Sequence, residues 1–261
     1  MKLLFLGTGA ADWPISRRTP GAEWRRFSST LIDGRLLIDP GPHIFDFAES
    51  AKDPHLFDRI TDIIVTHSHG DHFNAETTLK LCSGGRGCRV WGDAACLRKL
   101  KSQLGEDMAI NFICITPGEH YSAGGYDILP LAANHATDDA LETPLNYVIF
   151  HDGKRIFYGL DTGWLPTRTW HKIRRVPFDC MVLELTMGDI TPGDDRIFSH
   201  TSIPMLEIML ENFRKQGCVP EGCKIIVTHL ARMLHLDHAS TVARLAPLGV
   251  DVAYDGLTYE V

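Results

Sequence analysis

The sequence has no excess of positive charge. Its 261 residues include 26 Lys and Arg against 33 Asp and Glu, which gives a net charge of −7. A protein that binds nucleic acid mainly through the phosphates needs a basic surface. The composition therefore speaks against a nucleic-acid partner of that kind, although a local basic patch remains compatible with it.

Paired cysteines and long hydrophobic runs are also missing. The seven cysteines include no Cys-x-x-Cys motif, and neither Cys82 and Cys88 nor Cys218 and Cys223 have the spacing of a zinc knuckle. An odd number of scattered cysteines indicates reduced thiols in a cytoplasmic protein. The first apolar run ends at Leu6, too early for a signal peptide or a transmembrane helix. We therefore expect a cytoplasmic protein without a membrane partner.

No repeat, low-complexity tract or linker divides the chain. Hydrophobic residues make up 44% and charged residues 23%, as in ordinary globular proteins. Predicted hairpins and helices alternate along the whole length. This pattern predicts one mixed α/β domain over residues 1–261.

Four candidate metal ligands lie within six residues, directly after the apolar run Ile63-Ile64-Val65. His67 and His69 alternate along an extended segment, so both side chains can reach one ion. Asp71 and His72 follow a turn and can face a second ion from another direction. Imidazole and carboxylate suit zinc, iron or manganese. A solvated, His-rich strand end is the alternative interpretation.

Three more candidate ligands have similar surroundings. His135, Asp161 and His229 each come just after an apolar strand. Ligands presented at strand ends can converge at one edge of a sandwich, however far apart they lie in the sequence. Asp39 also closes an apolar strand, and we interpret it either as a turn former or as a group that orients a ligand histidine.

The order His-x-His-x-Asp-His after a hydrophobic strand resembles the signature of the metallo-β-lactamase superfamily of hydrolases. The resemblance implies an α/β fold, a four-layer αβ/βα sandwich of two mixed sheets flanked by helices, with the metal centre between the sheets. It also implies two divalent ions, Zn²⁺ or Mn²⁺ with iron as a further option. In this sequence it assigns His67, His69 and His135 to one metal, Asp71, His72 and His229 to the other, and Asp161 as the bridge.

Two cations about 3.5–4 Å apart would lower the pKa of a shared water, so that a bridging hydroxide attacks the substrate. They would also offset the charge that grows in the transition state. A leaving alkoxide still needs a proton from a general acid. His200, at the start of a predicted helix, is our candidate for that acid, with a histidine near a helix cap as the alternative. Asp71 is the other candidate catalytic residue.

Other polar residues near these positions are weaker candidates. His235 and His238 lie close to the last ligand in sequence, but we favour surface or core positions for them. Glu184 and Asp255 follow apolar strands and are candidates for residues that orient the ligands.

Within the superfamily, the sequence is most similar to the phosphodiesterase branch, which includes tRNase Z and the PhnP-type cyclic-phosphate phosphodiesterases. The similarity rests on the Leu-Phe-Leu-Gly-Thr-Gly opening, an Arg-rich loop before Ser28, the position of His200, and the closing Thr-His-Leu and Ala-Tyr-Asp-Gly-Leu segments. Two features depart from it. Residues 12–27 lack the cysteines of an extra PhnP-type zinc site, and there is no tRNA-gripping arm.

These features predict a metal-dependent phosphodiesterase that acts on a small phosphodiester, for example a cyclic ribose phosphate. A lactonase or thioesterase with the same two-metal site is the main alternative. A tRNase Z-like nuclease and a non-catalytic metal-binding protein rank below it. A homodimer is compatible with the sequence.

The loop from Asp12 to Phe27 contains Arg17, Arg18, Arg25 and Arg26. Its arginines are candidates for recognition of the anionic end of the substrate. The alternative is a basic loop that faces solvent.

Overall fold

The computed structural model of the protein describes residues 1–14, 22–83, 87–104, 110–189 and 195–261. Within these ranges no helix is long and apolar enough to cross a membrane. Arg17 and Arg18 lie outside the described residues.

Seven strands form the first sheet, in the order β14-β1-β2-β3-β4-β5-β6. Their bounds are β1 Lys2–Gly7, β2 Ser29–Ile32, β3 Leu36–Ile38, β4 Asp62–Ile64, β5 Arg89–Gly92, β6 Asn111–Cys114 and β14 Thr258–Glu260. The pairings from β14 to β3 are antiparallel, and those from β3 to β6 are parallel. Parallel neighbours need a crossover, and helices provide it here: α1 Ile44–Ala51, α2 Ala75–Cys82 and α3 Ala94–Leu104.

The second sheet repeats this arrangement, in the order β13-β12-β11-β10-β9-β8-β7. Its strands are β7 Tyr121–Ala123, β8 Tyr126–Ala132, β9 Leu145–His151, β10 Lys154–Gly159, β11 Cys180–Glu184, β12 Lys224–Thr228 and β13 Asp251–Val252. Its pairings are again antiparallel from β7 to β10 and parallel from β10 to β13. Its helices are α4 Thr167–Ile173, α5 Ile203–Lys215 and α6 His238–Leu245.

Three hydrophobic clusters define four layers. The central cluster joins the facing sides of the sheets, with Phe5 and Ile64 from the first sheet and Tyr147 and Val182 from the second. A second cluster packs α4, α5 and α6 on the outer face of the second sheet, and a third packs α1, α2 and α3 on that of the first. The predicted four-layer αβ/βα sandwich of two mixed sheets is confirmed.

The predicted alternation of hairpins and helices is present in the described parts of the chain. The sequence does not predict two short strands, β7 and β14, which lie at the edges of the two sheets. Asn74 caps α2, because its side-chain oxygen accepts a hydrogen bond from Thr77 N at 2.8 Å. Asp39, His67, Asp161, Glu184 and His229 all follow or end strands, so that their side chains meet at one edge of the sandwich.

Candidate metal centre

All seven predicted ligands come together in two groups. His67, His69, His135 and Asp161 form the first, and Asp71, His72 and His229 the second. In each group the candidate ligand atoms lie within 4.8 Å of one another. His67 and His229 are far apart in the sequence, so the fold brings the ligands of the site together.

In the first group, four atoms face a common centre. His69 Nδ1 lies 2.9 Å from His67 Nε2 and 3.0 Å from His135 Nε2. Asp161 Oδ2 lies 3.4 Å from His67 Nε2 and 3.6 Å from His135 Nε2. Ligand atoms bound tetrahedrally at about 2.0–2.2 Å are themselves about 3.3–3.6 Å apart. The observed spacing is close to that of such a ligand set.

The second group shares Asp161 with the first. His72 Nε2 and His229 Nε2 are 3.0 Å apart, and Asp71 Oδ2 lies 3.4 Å and 3.3 Å from them. Asp161 Oδ2 is 3.4 Å from His72 Nε2, while Asp161 Oδ1 is 3.1 Å from His229 Nε2. Asp161 therefore lies between the two groups, in the place of a bridging carboxylate.

Two observations test whether these residues fit a metal. Asp161 Oδ1 is buried and makes no hydrogen bond, which carries a free-energy penalty unless another partner binds it. His72, His135 and His229 each place the other ring nitrogen, Nδ1, within hydrogen-bond distance of a protein oxygen. This arrangement leaves Nε2 to face the centre, as is usual for metal-binding histidines. The two groups are therefore able to bind metal.

The electrostatics agree with this fit at His67 and Asp161 but not at His72. Burial alone would lower the pKa of His72, but Asp161, Asp71 and Asp39 raise it well above its usual value. Burial and the neighbouring imidazoles lower the pKa of His67 well below its usual value, so this side chain is neutral. Burial alone would raise the pKa of Asp161, but His229 and His72 hold it well below the usual range. A neutral imidazole and an ionised carboxylate are the protonation states that bind metal.

Three residues of the site have left-handed backbone conformations. The φ angles are +60° at Asp39, +42° at Asp161 and +59° at His229. Each such residue costs about 1–3 kcal/mol, and such strain is concentrated at functional sites. These residues follow the ends of β3, β10 and β12, where the extended backbone stops at the edge of the sandwich that carries the centre.

Asp39 orients one of the ligand histidines. Its carboxylate accepts hydrogen bonds from Thr66 N at 2.7 Å, Thr66 Oγ1 at 2.8 Å and His72 Nδ1 at 2.8 Å. It is fully buried. Of the two interpretations from the sequence, the contacts support the orienting role.

Glu184 performs the corresponding task on the other side. Its Oε2 accepts hydrogen bonds from the backbone N–H and the hydroxyl of Thr186, both at 2.7 Å. Thr186 Oγ1 in turn lies 2.8 Å from His229 Nδ1. Glu184 Oε1 also lies 3.2 Å from His200 Nδ1 and accepts Thr201 N at 2.9 Å. One buried carboxylate thus fixes both a candidate ligand and the candidate acid.

His200 lies beside both groups. Burial alone would lower its pKa, but the charge of Glu184 and the hydrogen bond to it raise the pKa to about 9. His200 is therefore protonated at neutral pH. It also lies within 4.8 Å of Asp161 and His229 as a third potential ligand set. A role as general acid and a role as metal ligand are both sterically open to it.

A further carboxylate holds the first ligand segment. Glu142 accepts hydrogen bonds from Ser68 N at 2.7 Å and Ser68 Oγ at 2.6 Å, and Lys99 Nζ donates to Ser68 O at 3.0 Å. Ser68 separates His67 from His69, and Glu142 lies in the segment between His135 and β9. Sequence analysis missed this contact, since nothing near Glu142 in the chain indicates a partner 74 residues away.

The proposed role of Arg25 and Arg26 in substrate recognition is wrong, and neither of these two side chains faces solvent. Both side chains are buried, at 4% and 7% exposure. Arg25 donates to Thr8 Oγ1 at 2.7 Å and to Ala253 O at 2.6 Å, while Arg26 pairs with Asp255 at 3.3 Å. These guanidinium groups join the early loop to the end of the chain.

His235 and His238 belong to neither group of ligands. His235 Nε2 donates to Leu185 O at 2.6 Å, and His238 Nδ1 faces Arg25 Nη2 at 3.1 Å. All seven cysteines are free. Asp255 contacts Thr8 and Arg26, so in the structure it orients the early loop instead of a ligand.

A cavity of about 420 Å³ opens onto the centre. Its buried end contains atoms of both ligand groups. Its lining also includes Thr186, His200 and Arg196, and short apolar side chains together with Met233 and Leu234. Arg196 was not among the residues that the sequence indicated.

A sequence model of a known protein family matches most of the chain. The sequence model described as the beta-lactamase superfamily domain matches residues 34–254. A UPF0173 metal-dependent hydrolase of Nitratidesulfovibrio vulgaris (strain DP4) is 29% identical over 133 residues, 49% of this chain and 52% of the relative. The chain thus spans about half the length of the curated relatives that it matches.

Solved structures with the same architecture cover the whole chain. A diphosphatase of the PhnP family superposes with a TM-score of 0.74 at 20% identity, over 100% of this chain and 97% of that one. The short form of human tRNase Z gives a TM-score of 0.68 at 17% identity, over 100% and 99%. At these identities the similarity concerns the fold.

Proposed function

The chain belongs to the metallo-β-lactamase superfamily, and from this membership we propose that it is a metal-dependent hydrolase that cleaves a small phosphodiester. The observation that carries the proposal is the position of His200, whose Nδ1 lies 3.2 Å from Glu184 Oε1 and which lies beside the two ligand groups. A phosphodiester with an alkoxide leaving group needs an acid at that place.

The first metal would be held by His67, His69, His135 and Asp161, and the second by Asp71, His72, His229 and Asp161. Such ions, when bound, supply Lewis acidity to the phosphoryl oxygens and lower the pKa of a water. The residues around them keep this arrangement fixed. Asp39 and Thr186 bind the Nδ1 sides of His72 and His229, so these rings present Nε2 to the centre without reorientation.

His200 then donates a proton to the leaving group. Its Nδ1 faces Glu184 Oε1 at 3.2 Å and Thr186 Oγ1 at 3.2 Å, so Nε2 is the nitrogen available to the substrate. In the imidazolium form, Nε2–H donates its proton to the departing oxygen. The negative charge of Glu184 stabilises the imidazolium before that transfer and orients the ring.

The size of the cavity favours a small substrate. Pockets for small molecules commonly enclose about 300–1,000 Å³, and this one encloses about 420 Å³. The net charge of −7 argues in the same direction, against a polynucleotide. Because a similar structure is that of a diphosphatase, a diphosphate bond belongs among the linkages to be tested.

A panel of substrates tests the proposal. Purified protein is assayed with bis(p-nitrophenyl) phosphate, a cyclic ribose phosphate, a diphosphate ester and a simple lactone, each with and without Mn²⁺ or Zn²⁺. Metal-dependent cleavage of the diesters without lactone cleavage supports the phosphodiesterase. Lactone cleavage without diester cleavage would identify an acyl hydrolase. The proposal that His200 protonates the leaving group of a phosphodiester would then be wrong.

A further inference from the structure

Arg196 occupies a distinctive place in the cavity. Among the described residues that line the cavity, it is the sole Lys or Arg. It lies in a 3₁₀ turn, Asp195–Phe198, which ends two residues before His200. Its side chain is exposed, whereas the side chain of His200 is only 20% exposed and that of Asp161 only 3%. The order of depth is therefore Asp161, then His200, then Arg196 at the mouth.

The position of Arg196 relative to His200 is fixed by the backbone. Arg196 O accepts hydrogen bonds from Ser199 N at 2.9 Å and from His200 N at 2.8 Å. Ser199 O in turn accepts the Nδ1–H of His135 at 3.1 Å. The turn that carries Arg196 is thus attached both to the candidate acid and to a candidate metal ligand.

Part of the lining of the cavity is apolar. Ala10, Ala11, Ala231, Met233 and Leu234 line it. Asp12 also lines it, but its two carboxylate oxygens accept Arg232 N at 2.8 Å and Met233 N at 3.0 Å. These bonds join the two segments into one surface, with Met233 76% exposed. Met is a side chain that adapts to apolar groups of varied shape.

These observations define what lies beyond the leaving oxygen. If His200 protonates that oxygen, the group attached to it extends past His200 toward the mouth, where Arg196 and the Met233 surface lie. We propose that Arg196 binds an anionic group, a carboxylate or phosphate, on the leaving portion of the substrate. This inference rests on the proposed function and narrows it to diesters whose leaving portion carries a second negative charge beside an apolar part. A guanidinium fork suits both anions, because it can form two parallel hydrogen bonds with either.

The test uses two substrates that differ in this charge alone. They are 3-carboxyphenyl methyl phosphate and its 3-carbamoylphenyl analogue, in which a neutral amide replaces the carboxylate. For each protein the ratio of the two kcat/KM values is measured, so that the intrinsic reactivity of the substrates cancels between variants. We expect Arg196→Met to lower the ratio by about tenfold, the scale of one partly exposed charge-assisted contact. Arg196→Lys should retain part of the preference, because the charge remains but the fork is lost.

Arg232→Met is the matched control. Arg232 is an exposed arginine near the same mouth, stacked on the Trp24 ring at 5.9 Å, and it does not line the cavity. Its replacement should leave the ratio unchanged. An unchanged ratio in Arg196→Met, or an equal fall in Arg232→Met, would overturn the inference.

A binding measurement separates this inference from the proposed function. The corresponding 3-carboxyphenyl and 3-carbamoylphenyl methylphosphonates are titrated into the metal-loaded protein by calorimetry. Tighter binding of the carboxylate that disappears in Arg196→Met supports the subsite even if neither diester is hydrolysed, in which case only the phosphodiesterase proposal fails. Equal binding of both phosphonates by the wild-type protein would refute the subsite, whatever the activity.

Discussion

Replacement of Glu142 tests how the first group of ligands is held. Glu142→Ala removes both acceptors of Ser68, whose N–H and hydroxyl donate to Glu142 at 2.7 Å and 2.6 Å. Ser68 is 2% exposed, so water does not readily replace the carboxylate. A buried donor left without an acceptor costs about 1–3 kcal/mol, and hydrogen bonds to a charged acceptor lie toward the upper end of that range.

The consequence for metal binding follows from the position of Ser68. It lies between His67 and His69, and loss of a partner outside the ligand set typically weakens metal affinity by about 10–100-fold. We therefore expect Glu142→Ala to weaken the ion at His67, His69 and His135 by this factor and to change the other ion less. Glu142→Gln should be intermediate, because the amide keeps one acceptor oxygen.

The assay is competition with a chelator, followed as the release of each of the two ions, together with urea unfolding of the metal-free protein. Glu211→Ala is the control, since Glu211 is exposed on α5 and pairs with Lys215. Such a surface pair contributes at most about 1 kcal/mol. Wild-type affinity for both ions in Glu142→Ala, or an equal loss at both, would refute the reasoning.

Three further predictions concern other parts of the molecule. Asp161→Ala should lose most bound metal and nearly all activity, because one carboxylate faces both groups; metal content close to wild type would contradict this. His200→Ala should keep its metals but slow hydrolysis by about 10²–10⁴-fold, most for poor leaving groups; loss of a metal would instead identify His200 as a ligand. Burial raises the pKa of Asp255 to about 6, so its protonated form stabilises the fold at low pH and this contribution is lost as the pH rises through 6. We expect the difference in the free energy of unfolding between wild type and Asp255→Asn, measured by urea unfolding, to change by about 2 kcal/mol between pH 4 and pH 6; parallel pH profiles would contradict it.

The sequence predicts the centre well because its signals are local. His67, His69, Asp71 and His72 lie in one short segment, and Asp161 and His229 each follow an apolar strand. The fold brings all of them together, while their role as ligands stays a prediction. The short edge strands β7 and β14 were not predicted, because three residues are too few for a clear alternation.

The residues that hold the site in place were harder to predict. Glu142 reaches Ser68 and Arg26 reaches Asp255 across 74 and 229 residues, and only the assembled fold defines such contacts. The arginines of the early loop have the composition of a solvated or anion-binding segment, yet a buried carboxylate makes Arg26 structural. For Arg196 the informative property is depth within a cavity, which no local pattern encodes.

The most direct test of the two-metal centre is a titration of metal-free protein with Zn²⁺ or Mn²⁺ while hydrolysis of bis(p-nitrophenyl) phosphate is followed. The arrangement of His67, His69, His135, Asp161, Asp71, His72 and His229 predicts that activity rises and reaches its plateau at two equivalents of metal per chain. A plateau at one equivalent, or diester hydrolysis that needs no metal, would contradict it.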